Sequence, residues 1–105
     1  MNTALTAADR RFLRDKASEA AAMLRTLGHE QRLLVLCLLI AHGEMTVGQL
    51  LEWVELGQSA LSQHLARMRE DGLVSCRREG QAMHYRIADP RVETLVAALK
   101  QTFCP

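Results

Sequence analysis

Apolar residues between Asp9 and Leu27 recur as Leu13, Ala17, Ala20, Leu24 and Leu27, stepping alternately by four and three. That period predicts a helix with a coiled-coil-like seam, and the small residues in its middle suit close approach of another helix. Gly28 ends it. The next run, His29 to His42, is apolar almost all round, which predicts the buried centre of the domain. After Gly43, Thr46 is placed to cap a short helix to about Trp53, and Val54 to Gly57 form a turn.

A fourth helix opens at Gln58 or Ser59, where Gly57 breaks the chain, and Gly72 stands where a left-handed C-terminal cap is wanted. At about 100° per residue, Leu61, Leu65 and Met68 share one side. Ser59, Gln63, Ala66 and Arg67 project from the other, with Gln58 at the start and Ser62 on the flank. A solvated helix carries interleaved Glu and Lys instead. Ser, Gln and Arg are the side chains that hydrogen-bond base edges and phosphates, so this face has the chemistry of a recognition helix. His64 falls nearer the apolar side, as a packed or phosphate-touching residue rather than a base reader.

Beyond Gly72 the period shortens to two. Leu73 to Arg78 and Ala82 to Ile87 predict strands joined by Glu79-Gly80-Gln81 into a β-hairpin. Met83, Tyr85 and Ile87 alternate on one face, and His84 and Arg86 on the other. Asp89 caps a last helix with Pro90 in its first position, and Val92, Leu95, Val96, Leu99 and Phe103 form its apolar stripe. The order helix-helix-helix-helix-hairpin-helix is that of a mainly α winged helix-turn-helix, with Thr46 to Arg69 as the helix pair and Arg77 to Arg86 as the wing. Arg77 and Arg78 point to opposite faces of their strand, so one of them is expected on DNA, and Gln81 stands at the wing tip. Residues 1–8 are expected as a flexible N-terminus and 9–105 as the domain. The outer helices, at about 9–27 and 90–104, carry stripes without an evident partner. Leu13, Ala17, Ala20, Leu24, Val92, Leu95, Val96 and Leu99 are therefore expected across a two-fold dimer axis, which would set two recognition helices about one turn of DNA apart on a palindrome-like operator.

Composition narrows the rest. At 105 residues with a net charge of +1, the chain is one small domain and no diffuse polycation, so any DNA-binding charge must be concentrated locally. Apolar residues make up 49% but the longest run, Leu33 to Ala41, is too short to span a bilayer. Early arginines oppose a signal peptide, and three cysteines without scaffold spacing fit a reducing cytosol. Neither a Cys-x-x-Cys, a Ser/His/Asp order nor a phosphate-cradling glycine loop supports an enzyme.

The segments Leu27-Gly-His-Glu-Gln-Arg-Leu-Leu34, Leu61-Ser-Gln-His-Leu65, Asp71-Gly-Leu-Val74 and Arg77-Arg-Glu-Gly-Gln81 resemble the ArsR/SmtB repressors over nearly the whole chain. The resemblance implies a dimeric transcriptional repressor released from its operator by an inducer. Metal-sensing members carry a Cys-x-Cys near the third helix, or His and Asp ligands along the last. Here the third-helix segment Gln49-Leu-Leu-Glu-Trp-Val-Glu55 lacks cysteine and the last helix lacks histidine, so no metal is expected. Cys37 in the second predicted helix and Cys104 near the end are instead similar to the sulfide-responsive BigR/SqrR/YgaV branch, whose two thiols become linked through sulfur. That similarity implies a persulfide-sensing pair. Cys37 alone reads equally as a small core residue, and Cys76 as a structural or incidental one. Cys104-Pro105 also resembles the Cys-Pro dipeptide of haem-regulated proteins, but no cofactor is expected from a lone dipeptide. The remaining inputs under the same fold are a general oxidant, haem, a metal or none.

Overall fold

Helix α3 (Glu30–His42) is the element around which the others are laid. His29 caps it, its Nδ1 accepting the Gln31 N–H, and Gly43 at φ +82° ends it. Val35, Leu36, Leu38 and Leu39 are buried on it, and Leu33, Leu34, Cys37 and Ile40 are half-buried against the same core. The computed structural model describes residues 4–104. The first three residues of the expected N-terminal segment, and Pro105 of the Cys-Pro pair, lie outside the described residues.

The seam from Asp9 to Leu27 is two helices rather than one, α1 (Ala7–Asp15) and α2 (Ala17–Leu27). Lys16 leaves helical geometry at φ −123°, ψ −13°, and serves as the C-cap of one helix and the N-cap of the next. The reason is energetic: α1 buries no residue, so no packing holds the backbone straight through Lys16. Its start lies earlier than expected, because Thr6 and Asp9 form a reciprocal capping box. Thr46 and Gln49 form another at α4 (Val47–Leu51).

Helix α5 (Gln58–Glu70) follows, and buries Leu61, Leu65 and Met68. Strands β2 (Val74–Glu79) and β3 (Ala82–Ile87) pair antiparallel, Arg77 opposite His84 and Cys76 opposite Tyr85. The hairpin is not alone: β1 (Met45–Thr46) pairs with the outer edge of β3, giving a three-stranded sheet in the order β1-β3-β2. Two residues are too short to show a period, so this strand had no signature in the sequence. Met45 is buried opposite Tyr85 and ties the front of the helix pair to the wing.

Helix α6 (Pro90–Phe103) is capped by Asp89, whose side chain accepts the Arg91 N–H. Val92 and Val96 were expected at a dimer interface; at 0% and 2% exposure they lie in the chain's own core, packed with α3. An apolar stripe announces burial without saying which helix provides it, and α6 turns this edge inward. Leu95 and Leu99 are half-buried, while Leu13, Leu24 and Phe12 are 52%, 59% and 51% exposed. With principal extents of 55 × 30 × 21 Å and a radius of gyration of 16.1 Å, the chain is longer than the ~13 Å radius of a compact domain its size.

Leu65→Ala is expected to cost about 2–5 kcal/mol in urea unfolding, since Leu65 is fully buried beneath α5. Ser62→Ala on the opposite side should stay within about 0.5 kcal/mol.

Candidate nucleic-acid interface

Burial of Leu61, Leu65 and Met68 orients α5 and turns Gln58, Ser59, Ser62, Gln63, Ala66 and Arg67 to solvent. Gly57 at its N-cap supplies no side-chain acceptor, so the first-turn N–H groups are left open, as suits a nearby anion. The side chains of Gln58, Ser59, Ser62 and Gln63 make no hydrogen bond among the described residues. Four uncharged polar groups with unspent donors and acceptors, on a rigid helix, are chemically suited to base edges. Arg67 is held more loosely: its Nε lies 3.4 Å from Asp71 Oδ2, an exposed contact easily exchanged. Asp71 is itself anchored, because buried Thr26 on α2 donates its hydroxyl to the same oxygen at 3.2 Å.

His64 sits between the two faces, half-buried, with Arg32 Nε donating to its Nδ1 at 3.0 Å. Desolvation by burial lowers its pKa, and the nearby His29 and Arg32 lower it further. It is therefore a neutral ring, less suited to phosphate than a free histidine.

On the wing, Arg77 and Arg78 fare differently. Arg77 is gripped by Glu44, Nη2 to Oε1 at 2.7 Å and Nε to Oε2 at 3.2 Å, and by Glu79 through Nη1 at 2.6 Å. His84 Nδ1 approaches the same Glu44 oxygen at 3.6 Å. Hydrogen bonding from Arg77 holds both carboxyls below their usual range, so this brace persists through neutral pH and is lost only on strong acidification. Arg78 has only the Gly80 carbonyl across the turn, at 3.2 Å, and like Arg86 on β3 it makes no ion pair with a carboxylate among the described residues. Gln81 is exposed beside Gly80, whose φ of +62° makes the tight turn. Glu44 was not anticipated from the sequence, since its partner lies 33 residues away.

The three cysteines are unbridged. Cys37 is half-buried on α3, and Cys104 is exposed at the C-cap of α6, its N–H bonded to the Lys100 carbonyl. Helices α3 and α6 pack against one another. Cys76 is half-buried across from Tyr85, where burial raises the phenol's pKa. Among the described residues no group of three or more His, Cys, Asp and Glu could hold a metal ion, and no helix is long and apolar enough to cross a membrane.

Comparison with known proteins agrees with this geometry. The family described as bacterial regulatory protein, arsR family, matches residues 29–75, from the N-cap of α3 into β2. The HTH-type transcriptional regulator YgaV of Escherichia coli K12 is 41% identical over 93 residues, 89% of this chain and 94% of YgaV. The transcriptional activator HlyU of Vibrio cholerae is 40% identical over 88 residues, 84% of this chain and 81% of HlyU. The crystal structure of the transcriptional repressor BigR from Xylella fastidiosa superposes with a TM-score of 0.84 at 38% identity, covering 91% of this chain and 97% of BigR.

Glu44→Gln should leave Glu79 as the carboxylate holding Arg77 and so loosen the wing. Amide hydrogen exchange from Arg77 to Ala82 is expected to quicken, by less than about tenfold given the exposure of the pair. Exchange in α3 should be unchanged.

Proposed function

The chain belongs to the arsR family of bacterial regulatory proteins, and from that premise we propose a homodimeric repressor that reads an inverted-repeat operator and lets go when reactive sulfur links Cys37 to Cys104. Family and relatives are transcriptional regulators and not enzymes. The observation that carries DNA reading is the exposed row Ser59, Ser62, Gln63 and Arg67, aligned on a helix whose other side is sealed in the core. Arg78 and Gln81 extend the contact from the wing. Arg77 joins them only by exchanging Glu44 for a phosphate, and Gln58 and His64 border the row.

Dimerisation is supported by the elongated shape and by the apolar side chains left outside the core, Phe12, Leu13 and Leu24, with Ala17, Ala20, Leu95 and Leu99 beside them. A cavity of about 440 Å³ between α1, α2 and α6, lined by Phe12, Ala20, Met23, Leu24 and Leu95 among others, is the kind of surface a second protomer fills. Repression is the sign of the transcriptional repressor BigR, whereas HlyU is a transcriptional activator.

The sensing proposal is supported by two thiols on helices in contact and by the likeness to BigR and YgaV. One thiolate attacks a sulfur of an organic polysulfide and a thiolate leaves. The second thiolate then attacks the attached sulfur chain, expelling another. The two cysteines lose two electrons, the polysulfide gains them, and the bridge retains inserted sulfur. A direct disulfide requires Cα atoms within about 7 Å, so inserted sulfur relaxes the geometric demand. Such chemistry needs reduced thiols at rest, which places the protein in the cytoplasm.

Selection of duplexes from a random library by the purified protein should yield an inverted repeat. Its affinity should fall steeply with salt, and recovery of none would overturn the DNA-reading proposal. Polysulfide should lower affinity for that duplex by at least about tenfold, with a mass gain of one or more sulfurs bridging Cys37 and Cys104. Cys37→Ser and Cys104→Ser should each abolish the response and Cys76→Ser should leave it. A response to peroxide, haem or a metal ion, with none to polysulfide, would overturn the sulfur assignment and keep the fold.

A further inference from the structure

Two imidazoles meet where the start of α3 touches the middle of α5. His29, the N-cap of α3, and His64 on α5 have ring centroids 4.5 Å apart. In each ring Nδ1 is an acceptor. His29 takes the Gln31 N–H at 3.2 Å, and His64 takes the Arg32 Nε–H at 3.0 Å. A guanidinium only donates, so Nδ1 of His64 bears no proton and the neutral ring carries its hydrogen on Nε2. Nε2 has no partner among the described residues, yet no unsatisfied side-chain nitrogen there is sealed from solvent. Nε2–H is therefore a donor open to the outside, one residue along the helix from Gln63.

We propose that Arg32 is a positioning residue for DNA reading: its Nε–H clamps the start of α3 to the middle of α5 and holds His64 as a neutral Nε2–H donor. The proposal rests on α5 being the reading helix. One hydrogen bond, spanning 32 residues of sequence, then sets both the seating of α5 and the proton on His64. A phosphate-touching histidine would behave oppositely, since it gains from protonation. The charged and titratable groups facing His64 are Arg32 and His29, both from the α3 side. Protonated His64 would turn an N–H toward the Arg32 N–H and add a positive charge beside it. The lowered folded pKa gives the sign. The clamp contributes fully above the ordinary histidine value and is lost as pH falls through that value toward the lowered one.

Glutamine places its amide nitrogen as many bonds from Cα as the Nε of arginine. Arg32→Gln thus keeps a donor without the charge, whereas Arg32→Met keeps the length without a donor. Ring-nitrogen NMR should show His64 as the Nε2–H tautomer in the wild type and in Arg32→Gln, and a tautomer mixture in Arg32→Met. On the duplex selected by the wild-type protein, Arg32→Met should bind about tenfold more weakly and Arg32→Gln within about threefold of wild type. Wild-type affinity should be level above about pH 6.5 and fall on acidification below it, a fall absent from Arg32→Met. The proposal is overturned if Arg32→Gln binds as weakly as Arg32→Met, for charge on a phosphate would then be the contribution of Arg32. It is also overturned if His64 carries its proton on Nδ1, or if acidification tightens binding. Failure of the wild type to retain any duplex would instead refute α5 as the reading helix, and the tautomer measurement would still judge the clamp.

Discussion

The burial of the inner side of α5 in the core it shares with α3, α4 and β2 is the constraint on which the remaining arrangement depends. Leu61, Leu65 and Met68 sit on one side of thirteen residues and share a single core with Val35, Leu36 and Leu39 of α3, while α4 and β2 pack on the helix. Because all six are at or near zero exposure, α5 has no freedom to roll about its axis. Its outer row is therefore set by packing made on its inner one. The sheet, α4 and the inner edge of α6 close the same core, through Met45 of β1, Leu50 of α4, Val54 in the turn after it, Val74 of β2, and Val92 and Val96 of α6.

What the sequence disclosed followed from periods long enough to be seen. Helix α5 was legible because two glycines bracket it and Leu61, Leu65 and Met68 keep a helical spacing over about two turns. The hairpin was legible from its alternation and Gly80, and α6 from Asp89-Pro90. The helix break at Lys16 was hidden, since neither glycine nor proline marks it and only absent packing explains it. Strand β1 was hidden by its length of two residues.

The interface was legible by face and obscure by partner. Helical geometry could place Ser59, Ser62 and Gln63 outward. It could not show that Arg77 is claimed by Glu44, that Asp71 is tethered to Thr26, or that Arg32 reaches His64. Those pairs lie 33, 45 and 32 residues apart, and nothing local in the chain records them. The stripe on α6 had the converse problem. Val92 and Val96 are plainly apolar, but only the completed core decides that they face inward while Leu95 and Leu99 lie nearer the rim.

Arg67 and Arg77 each rest on a carboxylate of their own chain, Asp71 for one and Glu44 with Glu79 for the other. Those oxygens act as internal stand-ins for phosphate. On the proposed DNA-reading arrangement, a duplex of any sequence would first displace them, so the attraction common to all DNA would be blunted in advance. The Ser and Gln side chains of α5 have no such prior claim and, in the same proposal, would respond to the right base edges. In a chain of net charge +1, the carboxylates would thus sharpen discrimination by weakening the part of binding that carries no information.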